Sequence, residues 1–217
     1  LGRSFDAIVV DEGQDFLPDW WTHLELLLDD IENGILYVFA DSNQDVFRSG
    51  WEPPSGQATF PLSVNCRNTR QIAERVHALC EDELSVMGVD GEPAVYLNAS
   101  TERQLEKALT NSLKGLITRS KLVPDQIMIL SVDPRLLPQL EGREFGPATV
   151  GEGPNSVHLE SVRRFKGLES DAVILLLPDE VADETRRLAY VGMSRARALL
   201  IVIGSEEAGS AIDWPPS

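Results

Sequence analysis

The chain has 217 residues, of which 42% are hydrophobic and 25% are charged, and its formal net charge is −16. This composition is typical of a soluble globular protein with a substantial core. A strongly acidic chain repels phosphate backbones, so the charge argues against non-specific nucleic-acid binding. Two cysteines are too few for a disulfide scaffold or a zinc site, and no apolar run approaches a membrane span. We therefore expect a reducing, cytoplasmic setting.

Short, unbroken apolar runs alternate with segments of helical periodicity along the chain. The runs that predict strands buried on both faces are residues 7–10, 35–40, 127–130, 172–177 and 199–203. The segments that predict helices are residues 20–28, 69–84, 102–116 and 184–196. This alternation predicts an α/β fold in which a parallel sheet is flanked by helices.

Segments rich in proline and glycine interrupt the pattern at residues 51–56, 88–93 and 141–154. The first contains adjacent prolines and is the best candidate for a linker between two lobes. We expect a first lobe over residues 1–61, a second over 62–204, and a mobile tail over 205–217. Because the chain runs into an apolar strand almost from Leu1, we also expect it to be a fragment.

Two of the predicted strands end in side chains that suit phosphate chemistry. Asp11 and Glu12 follow the first strand, and Gln44 follows the second. At the carboxyl edge of a parallel sheet, an aspartate can hold Mg²⁺ while a neighbouring glutamate orients and deprotonates an attacking water. A neutral glutamine can sense a terminal phosphate by hydrogen bonds. Taken alone, each segment is also compatible with an ordinary polar turn.

Three further segments contain arginines close to predicted strands or helices. Arg67 precedes a helix that Asn68 or Thr69 could cap, Arg163 precedes the fourth strand, and Arg195 precedes the fifth. A single arginine is usually a solvated surface residue. Beside strand ends, in a chain that has paired acids elsewhere, arginines are candidates for stabilising transferred phosphate charge.

In their order, these five segments resemble the conserved motifs of superfamily 1 helicases of the UvrD/Rep/PcrA type, from the Walker B motif to the last. The resemblance extends from Phe5 to about Gly204. It implies the trailing part of a first RecA-like lobe in residues 1–61 and a second RecA-like lobe in residues 62–204. It also implies ATP and Mg²⁺ as cofactors, with single-stranded DNA, or RNA, and a missing amino-terminal lobe of the same protein as partners.

The resemblance assigns catalytic and nucleotide-binding roles residue by residue. Asp11 resembles the acid that coordinates Mg²⁺, and Glu12 resembles the catalytic base. Gln44 is similar to the glutamine that reads the γ-phosphate. Arg67 resembles the first phosphate-contacting arginine of the second lobe, and Arg195 resembles the arginine finger.

Further roles follow from the same resemblance. Glu169, together with Gly167, matches the segment whose acid bonds the ribose of the nucleotide. The residues that it implies for nucleic-acid contact are Phe47, Arg48, Trp51, Ser161 and Arg163. The basic side chains that we expect to give a local positive field despite the net charge are Arg163, Arg164, Lys166, Arg186, Arg187, Arg195 and Arg197.

The chain also departs from the family pattern. Cys66 replaces a tyrosine that stacks on adenine, and Gly13 replaces an alanine. No Gly-Lys dipeptide occurs, so the phosphate loop G-x-x-x-x-G-K-[ST] is missing. We therefore expect the chain alone to be inactive as an ATPase.

A second interpretation is a RecA-like module that serves binding or regulation without catalysis. The missing loop, Cys66 and the acidic charge favour it. The joint presence of the two acids, the glutamine and the two arginines favours the enzyme, because a degenerate module has no physical need of all five.

Overall fold

The computed structural model describes residues 4–44, 58–62, 64–80 and 85–215. The chain divides into two compact units, Leu1–Leu62 and Ser63–Ser217. The predicted linker at residues 51–56 lies outside the described residues.

The first unit contains two parallel strands, β1 (Ala7–Val10) and β2 (Ile35–Val38), with helix α1 (Pro18–Glu25) between them in sequence. Pro18 occupies the first turn of α1, where its fixed φ suits a helix and its missing N–H costs nothing. Val10, Trp21 and Leu28 are buried together on one side. The first unit therefore has a small core between the strand pair and α1.

The opposite face of the strand pair is apolar and exposed. Side chains alternate along a strand, so residues two apart share a face. The exposed residues with this spacing are Phe5, Val9, Ile35, Tyr37 and Phe39. Parallel strands normally have both faces covered, so this bare face is unusual for the predicted fold.

The second unit is larger and contains most of the regular structure. In chain order its elements are β3 (Val64–Asn65), α2 (Arg70–His77), β4 (Ser85–Val86), β5 (Val95–Asn98), α3 (Glu102–Lys114), β6 (Ile127–Ser131), α4 (Leu137–Leu140), β7 (Glu144–Phe145), β8 (Ala148–Thr149), β9 (His158–Ser161), β10 (Ser170–Leu176), α5 (Thr185–Ser194), β11 (Ala196–Gly204) and α6 (Glu206–Ala211).

Five of these strands form a parallel sheet in the order β5-β11-β10-β6-β9. In the central register, Ile174 pairs with Ile129 on one side and with Ile201 on the other. Leu109 and Leu113 of α3 join this core, while α5 packs against β10 and β11 and also against α2. The predicted α/β fold, with a parallel sheet flanked by helices, is confirmed.

Several elements differ from the sequence-based expectation. The edge strands β5 and β9 were not predicted, and the third break contains the antiparallel pair β7–β8. Helix α2 ends at His77, well before residue 84. Strands β7, β8 and β9 have two to four residues each and include polar ones, so no period is visible, whereas β5 is a short apolar run, Val-Tyr-Leu-Asn, that was missed.

The segment after Gly204, which we expected to be a mobile tail, forms helix α6. Ser205 caps it by accepting a hydrogen bond from the Ala208 amide, and Ala208 and Ile212 are buried. The guanidinium of Arg75 lies 5.0 Å from the ring centroid of Trp214. A helix of six residues is too short to show a periodic pattern in sequence. Within the part of the chain that is described, no helix is both long and apolar enough to cross a membrane.

Candidate functional site

Charged side chains from three segments meet at the amino ends of β10 and β11. One carboxylate oxygen of Glu169 lies 3.5 Å from Nε of Arg67, and the other lies 3.5 Å from a guanidinium nitrogen of Arg197. Arg197 also lies 3.8 Å from the carboxylate of Asp171. The side chains of Arg67, Glu169 and Arg197 are about half exposed, at 50%, 45% and 55%. The cluster is therefore open to solvent and able to receive a charged ligand.

Asn68 connects this cluster to the turn between α5 and β11. Its side-chain amide donates to the carbonyl oxygens of Ser194, at 3.1 Å, and Ala196, at 2.6 Å. The Thr69 amide donates to the Arg197 carbonyl at 3.0 Å. Thr69 occupies the N-cap position of α2, but neither side chain proposed as a cap bonds to the helix. Asn68 instead makes contacts across the fold.

Arg195 follows the last residue of α5 and is 1% exposed. Its Nε donates to the Val191 carbonyl at 3.1 Å, and another guanidinium nitrogen donates to the Ser194 hydroxyl at 3.0 Å. A third contact reaches the Leu168 carbonyl at 3.5 Å. Because Leu168 precedes Glu169, these bonds tie Arg195 to the segment that carries the ribose-binding candidate. The structure thus pairs Arg67 with Glu169 and places Arg195 against the backbone carbonyl of Leu168, the residue before Glu169.

Gly167 has a φ of +82°, in the left-handed region that favours glycine. A Cβ atom there would meet nothing within 4 Å, so backbone conformation and not space explains the residue. Ser161 is buried, and its hydroxyl accepts a hydrogen bond from the Arg164 amide at 3.4 Å. The Ser161 hydroxyl therefore forms a hydrogen bond within the loop that precedes β10.

The expected positive patch is paired with carboxylates in the structure. Arg163 lies 2.5 Å from Glu184. The other pairs of this kind are Arg164 with Glu160, Arg186 with Asp213, and Arg197 with Glu169 and Asp171. Because each partner cancels much of the arginine's field, the positive field is weaker than the sequence led us to expect.

In the first unit, the two acids follow β1 directly. Asp11 is exposed, and its carboxylate accepts the Glu12 amide at 2.9 Å. Glu12 has a left-handed backbone, φ 54° and ψ 43°, which is uncommon for a residue other than glycine. Strained backbone of this kind often occurs at functional sites. The turn thus presents both carboxylates at the end of the strand.

Gln14 joins the turn after β1 to the segment after β2. It is fully buried, its amide donates to the Glu12 carboxylate at 2.6 Å, and its carbonyl accepts from the Asp41 amide at 2.9 Å. Gln44 donates in turn to the Asp41 carboxylate at 2.7 Å. This role of Gln14 could not be predicted from the sequence, because only the fold brings the two segments together. Phe47, Arg48 and Trp51 lie outside the described residues.

Some of the side chains described above suit the binding of a nucleotide with Mg²⁺, and others do not. No group of three or more acids, cysteines or histidines in the described ranges is arranged to hold a metal ion. Mg²⁺ commonly takes one or two carboxylates and completes its shell with water and phosphate, so Asp11 fits such a role. Arg67 and Arg197 offer exposed cations for phosphate. Cys66 is exposed but supplies no ring for a base to stack on.

Comparison with known proteins supports a family for the second unit. Residues 156–203 match the family model described as the UvrD-like helicase C-terminal domain. No curated protein matches the chain in sequence.

Two solved structures show a limited likeness to the chain. One is the C-terminal domain of a possible DNA helicase from Lactobacillus plantarum WCFS1, with 17% identity, a TM-score of 0.47, and coverage of 64% of this chain and 87% of that one. The other is the helicase of PRRSV, with 16% identity, a TM-score of 0.49, and coverage of 96% of this chain. The chain spans only 37% of the length of that viral helicase.

The matched segment contains Ser161, Arg163, Gly167, Glu169 and Arg195. It spans β9, β10, α5 and most of β11 of the parallel sheet. The resemblance to UvrD-type helicases is therefore confirmed over residues 156–203, which match the model of the UvrD-like helicase C-terminal domain.

Proposed function

We propose that the chain is the carboxyl-terminal part of an ATP-dependent helicase or translocase that moves on single-stranded nucleic acid. The observation that carries the proposal is the cluster in the second unit. Arg67 forms an ion pair with Glu169 beside β10, and Arg195 contacts the backbone carbonyl of Leu168, the residue before Glu169. Glu169 and Arg195 lie within the segment that matches the helicase family.

Each of these side chains has a role in the proposed reaction. Arg67 would stabilise negative charge on the transferred phosphoryl group, and Glu169 would accept a hydrogen bond from a ribose hydroxyl. Arg195 is 1% exposed and donates to the Val191 carbonyl and the Ser194 hydroxyl, so it would have to release these bonds to reach the same charge. ATP supplies the phosphoryl group when it is bound with Mg²⁺. In the first unit, Asp11 would hold the Mg²⁺ ion and Glu12 would orient and deprotonate the attacking water.

Gln14 and Gln44 support these groups. Gln14 fixes the direction of the Glu12 carboxylate by a short hydrogen bond. Gln44 bonds Asp41, which itself is held by Gln14. If a terminal phosphate replaced Asp41 as the partner of the Gln44 amide, the change would be transmitted through Asp41 and Gln14 to Glu12.

The 217 residues do not supply a phosphate loop, so the chain alone does not hydrolyse ATP. The proposal therefore includes a further amino-terminal part of the same protein that provides this loop. The bare apolar face of β1 and β2 supports it, because a parallel sheet needs cover on both faces. That part packs against Val9 and Tyr37 and completes the first lobe.

Nucleic-acid binding by the chain alone is expected to be weak. The net charge is −16, and the basic side chains of the second unit are largely paired with acids. Ser161 and Arg163 are proposed to contact the strand, together with residues 47, 48 and 51. Arg163 must then exchange Glu184 for a phosphate, which lowers its net gain.

The test is the steady-state ATPase activity of the protein extended to include its phosphate loop, with and without single-stranded DNA. Arg195→Ala is expected to lower the stimulated rate about a thousandfold, because such arginines stabilise the transition state. Arg103→Ala is the matched control, since Arg103 is exposed on α3 outside the cluster, and it should leave the rate unchanged. A folded protein without turnover, with either DNA or RNA, would favour the non-catalytic module.

A further inference from the structure

Asn68 is 3% exposed, and its side chain makes the most deeply buried contacts between the Arg67 segment and the Arg195 segment. Its two amide hydrogens are donated to the carbonyl oxygens of Ser194 and Ala196, the residues on either side of Arg195. Its own carbonyl oxygen accepts a hydrogen bond from the Asn65 amide at 2.9 Å. Both donors of this side chain therefore join the two segments, and its acceptor is held within the Arg67 segment.

We propose that Asn68 is a positioning residue that holds Arg67 and Arg195 in a fixed relation to each other. This inference rests on the proposed function for the roles of the two arginines. The last carbonyl groups of a helix have no partner within the helix, and Ser194 is the last residue of α5. Asn68 supplies the missing donor from a segment more than a hundred residues away in sequence and so caps α5 at the base of Arg195.

Asparagine suits this position better than its close relatives. Aspartate would set a carboxylate oxygen against two carbonyl oxygens, which repel it. Alanine would leave two carbonyl groups without a donor at a buried site. Serine keeps one donor but is too short to serve both carbonyls at once.

The other contacts in the cluster cannot replace Asn68. The ion pairs of Glu169 with Arg67 and Arg197 are 3.5 Å long and about half exposed, so solvent screens them. The contact of Arg195 with the Leu168 carbonyl is also long, at 3.5 Å. The buried amide of Asn68, with one contact at 2.6 Å, is the short and unscreened link. Its loss would leave the bond from the Thr69 amide to the Arg197 carbonyl, at 3.0 Å, as the remaining short link between the two segments, so Arg67 and Arg195 would be held less firmly.

The first test uses the 217-residue chain and nuclear magnetic resonance. Hydrogen exchange of the Arg195 Nε–H is compared among the natural protein, Asn68→Asp and Asn68→Ser. We expect at least about tenfold faster exchange in the aspartate variant and a smaller increase in the serine variant, since a net hydrogen bond is worth about that factor. Asn98→Asp, which changes an exposed amide at the end of β5, is the matched control.

The exchange rates of the β10 backbone amides, measured in the same spectra, distinguish a loss of positioning from a general loss of stability. General destabilisation speeds exchange at Arg195 and in β10 by the same factor, whereas loss of positioning acts on Arg195 alone. Unchanged exchange at Arg195, or a rise only in proportion to β10, would overturn the inference. The serine variant keeps the test valid if the aspartate variant does not fold.

The second test measures ATPase kinetics of the protein extended to include its phosphate loop. Asn68→Asp is expected to lower kcat at least about tenfold with little change in KM for ATP, because a misplaced Arg195 weakens transition-state contacts more than ground-state binding. If the serine and aspartate variants raised KM by the same factor as they lowered kcat, the result would count against positioning. If the natural protein shows no turnover, the proposed function fails, while the exchange result still decides the role of Asn68.

Discussion

Gly13 lies at a position in the first unit where a larger side chain has no room. Its amide donates to the Phe39 carbonyl at 2.8 Å, so the turn after β1 lies directly against the end of β2. A Cβ atom at this position would lie 2.4 Å from Cγ1 of Val38 and 3.5 Å from the ring of Trp21. The family resemblance implies alanine here, but in this chain the branched side chain of Val38 already fills the space.

Gly13→Ala is therefore expected to destabilise the first unit by about 1–2 kcal/mol, the usual cost of overpacking. The measurement is hydrogen exchange of the β1 and β2 amides under native conditions. Val38→Ala should open the space, so the double variant should lose less than the two single losses added together. An alanine variant as stable as the natural protein would mean that Val38 moves away at no cost.

The partly buried hydroxyl of Tyr96 should make the stability of the second unit depend on pH. Burial raises the pKa of Tyr96 from its ordinary 10.0 to about 12, and its hydroxyl donates to the Ser205 carbonyl at 2.5 Å. The folded state thus keeps the neutral phenol while the unfolded state already ionises, so this stability is complete below pH 10 and is lost between pH 10 and about 12. Urea midpoints across this range should fall less steeply for Tyr96→Phe. Parallel curves for the two proteins would contradict the assignment.

At the scale of elements, the sequence reveals what is buried on both sides. The strands β6 and β10 are central and form unbroken apolar runs, so their pattern predicts them. The edge strand β9 has four residues and carries polar side chains, so no period stands out, whereas β5 is a short apolar run that was missed. An unbroken apolar run marks a strand that is buried on both faces, and an edge strand has less buried surface.

The candidate site divides in a similar way. Charged residues at strand ends, such as Arg67 and Glu169, could be predicted from their type and place. Asn68 and Gln14 could not, because their partners lie elsewhere in the chain and only folding brings them close. Side chains that support a site by long-range contacts leave no local signal in the sequence.

Two threonines at helix starts give opposite predictions at this scale. The Thr101 hydroxyl accepts from the Gln104 amide at 3.3 Å and caps α3. Thr69 begins α2, but its buried hydroxyl has no hydrogen-bond partner among the described residues. Thr101→Val should cost about 1 kcal/mol, whereas Thr69→Val should be neutral or stabilising by up to about 1 kcal/mol. Urea unfolding of the second unit measures both, and equal losses would show that Thr69 has a cap.

At the scale of the whole molecule, the two units differ in how completely their sheets are covered. The five-stranded sheet has helices on both faces, and its central strands are fully buried. The strand pair of the first unit has α1 on one face, while Val9 and Tyr37 remain 65% and 61% exposed on the other. A parallel pair with one bare face has little buried apolar area to stabilise it. The first unit should therefore exchange its amide hydrogens faster than β6 and β10.

Val9→Lys tests whether this face is covered in the longer protein. In the 217-residue chain the substitution should be tolerated, because the lysine lies in solvent, and it should reduce binding of an apolar dye. In the protein that includes the amino-terminal part, the same lysine would be buried without a partner and should cost several kcal/mol. Val123→Lys, at an exposed valine of the second unit, is the control and should be tolerated in both. Thermal unfolding measures all four variants. If Val9→Lys is equally harmless in the longer protein, the face is not an internal contact, and the proposed completion of the first lobe does not use it.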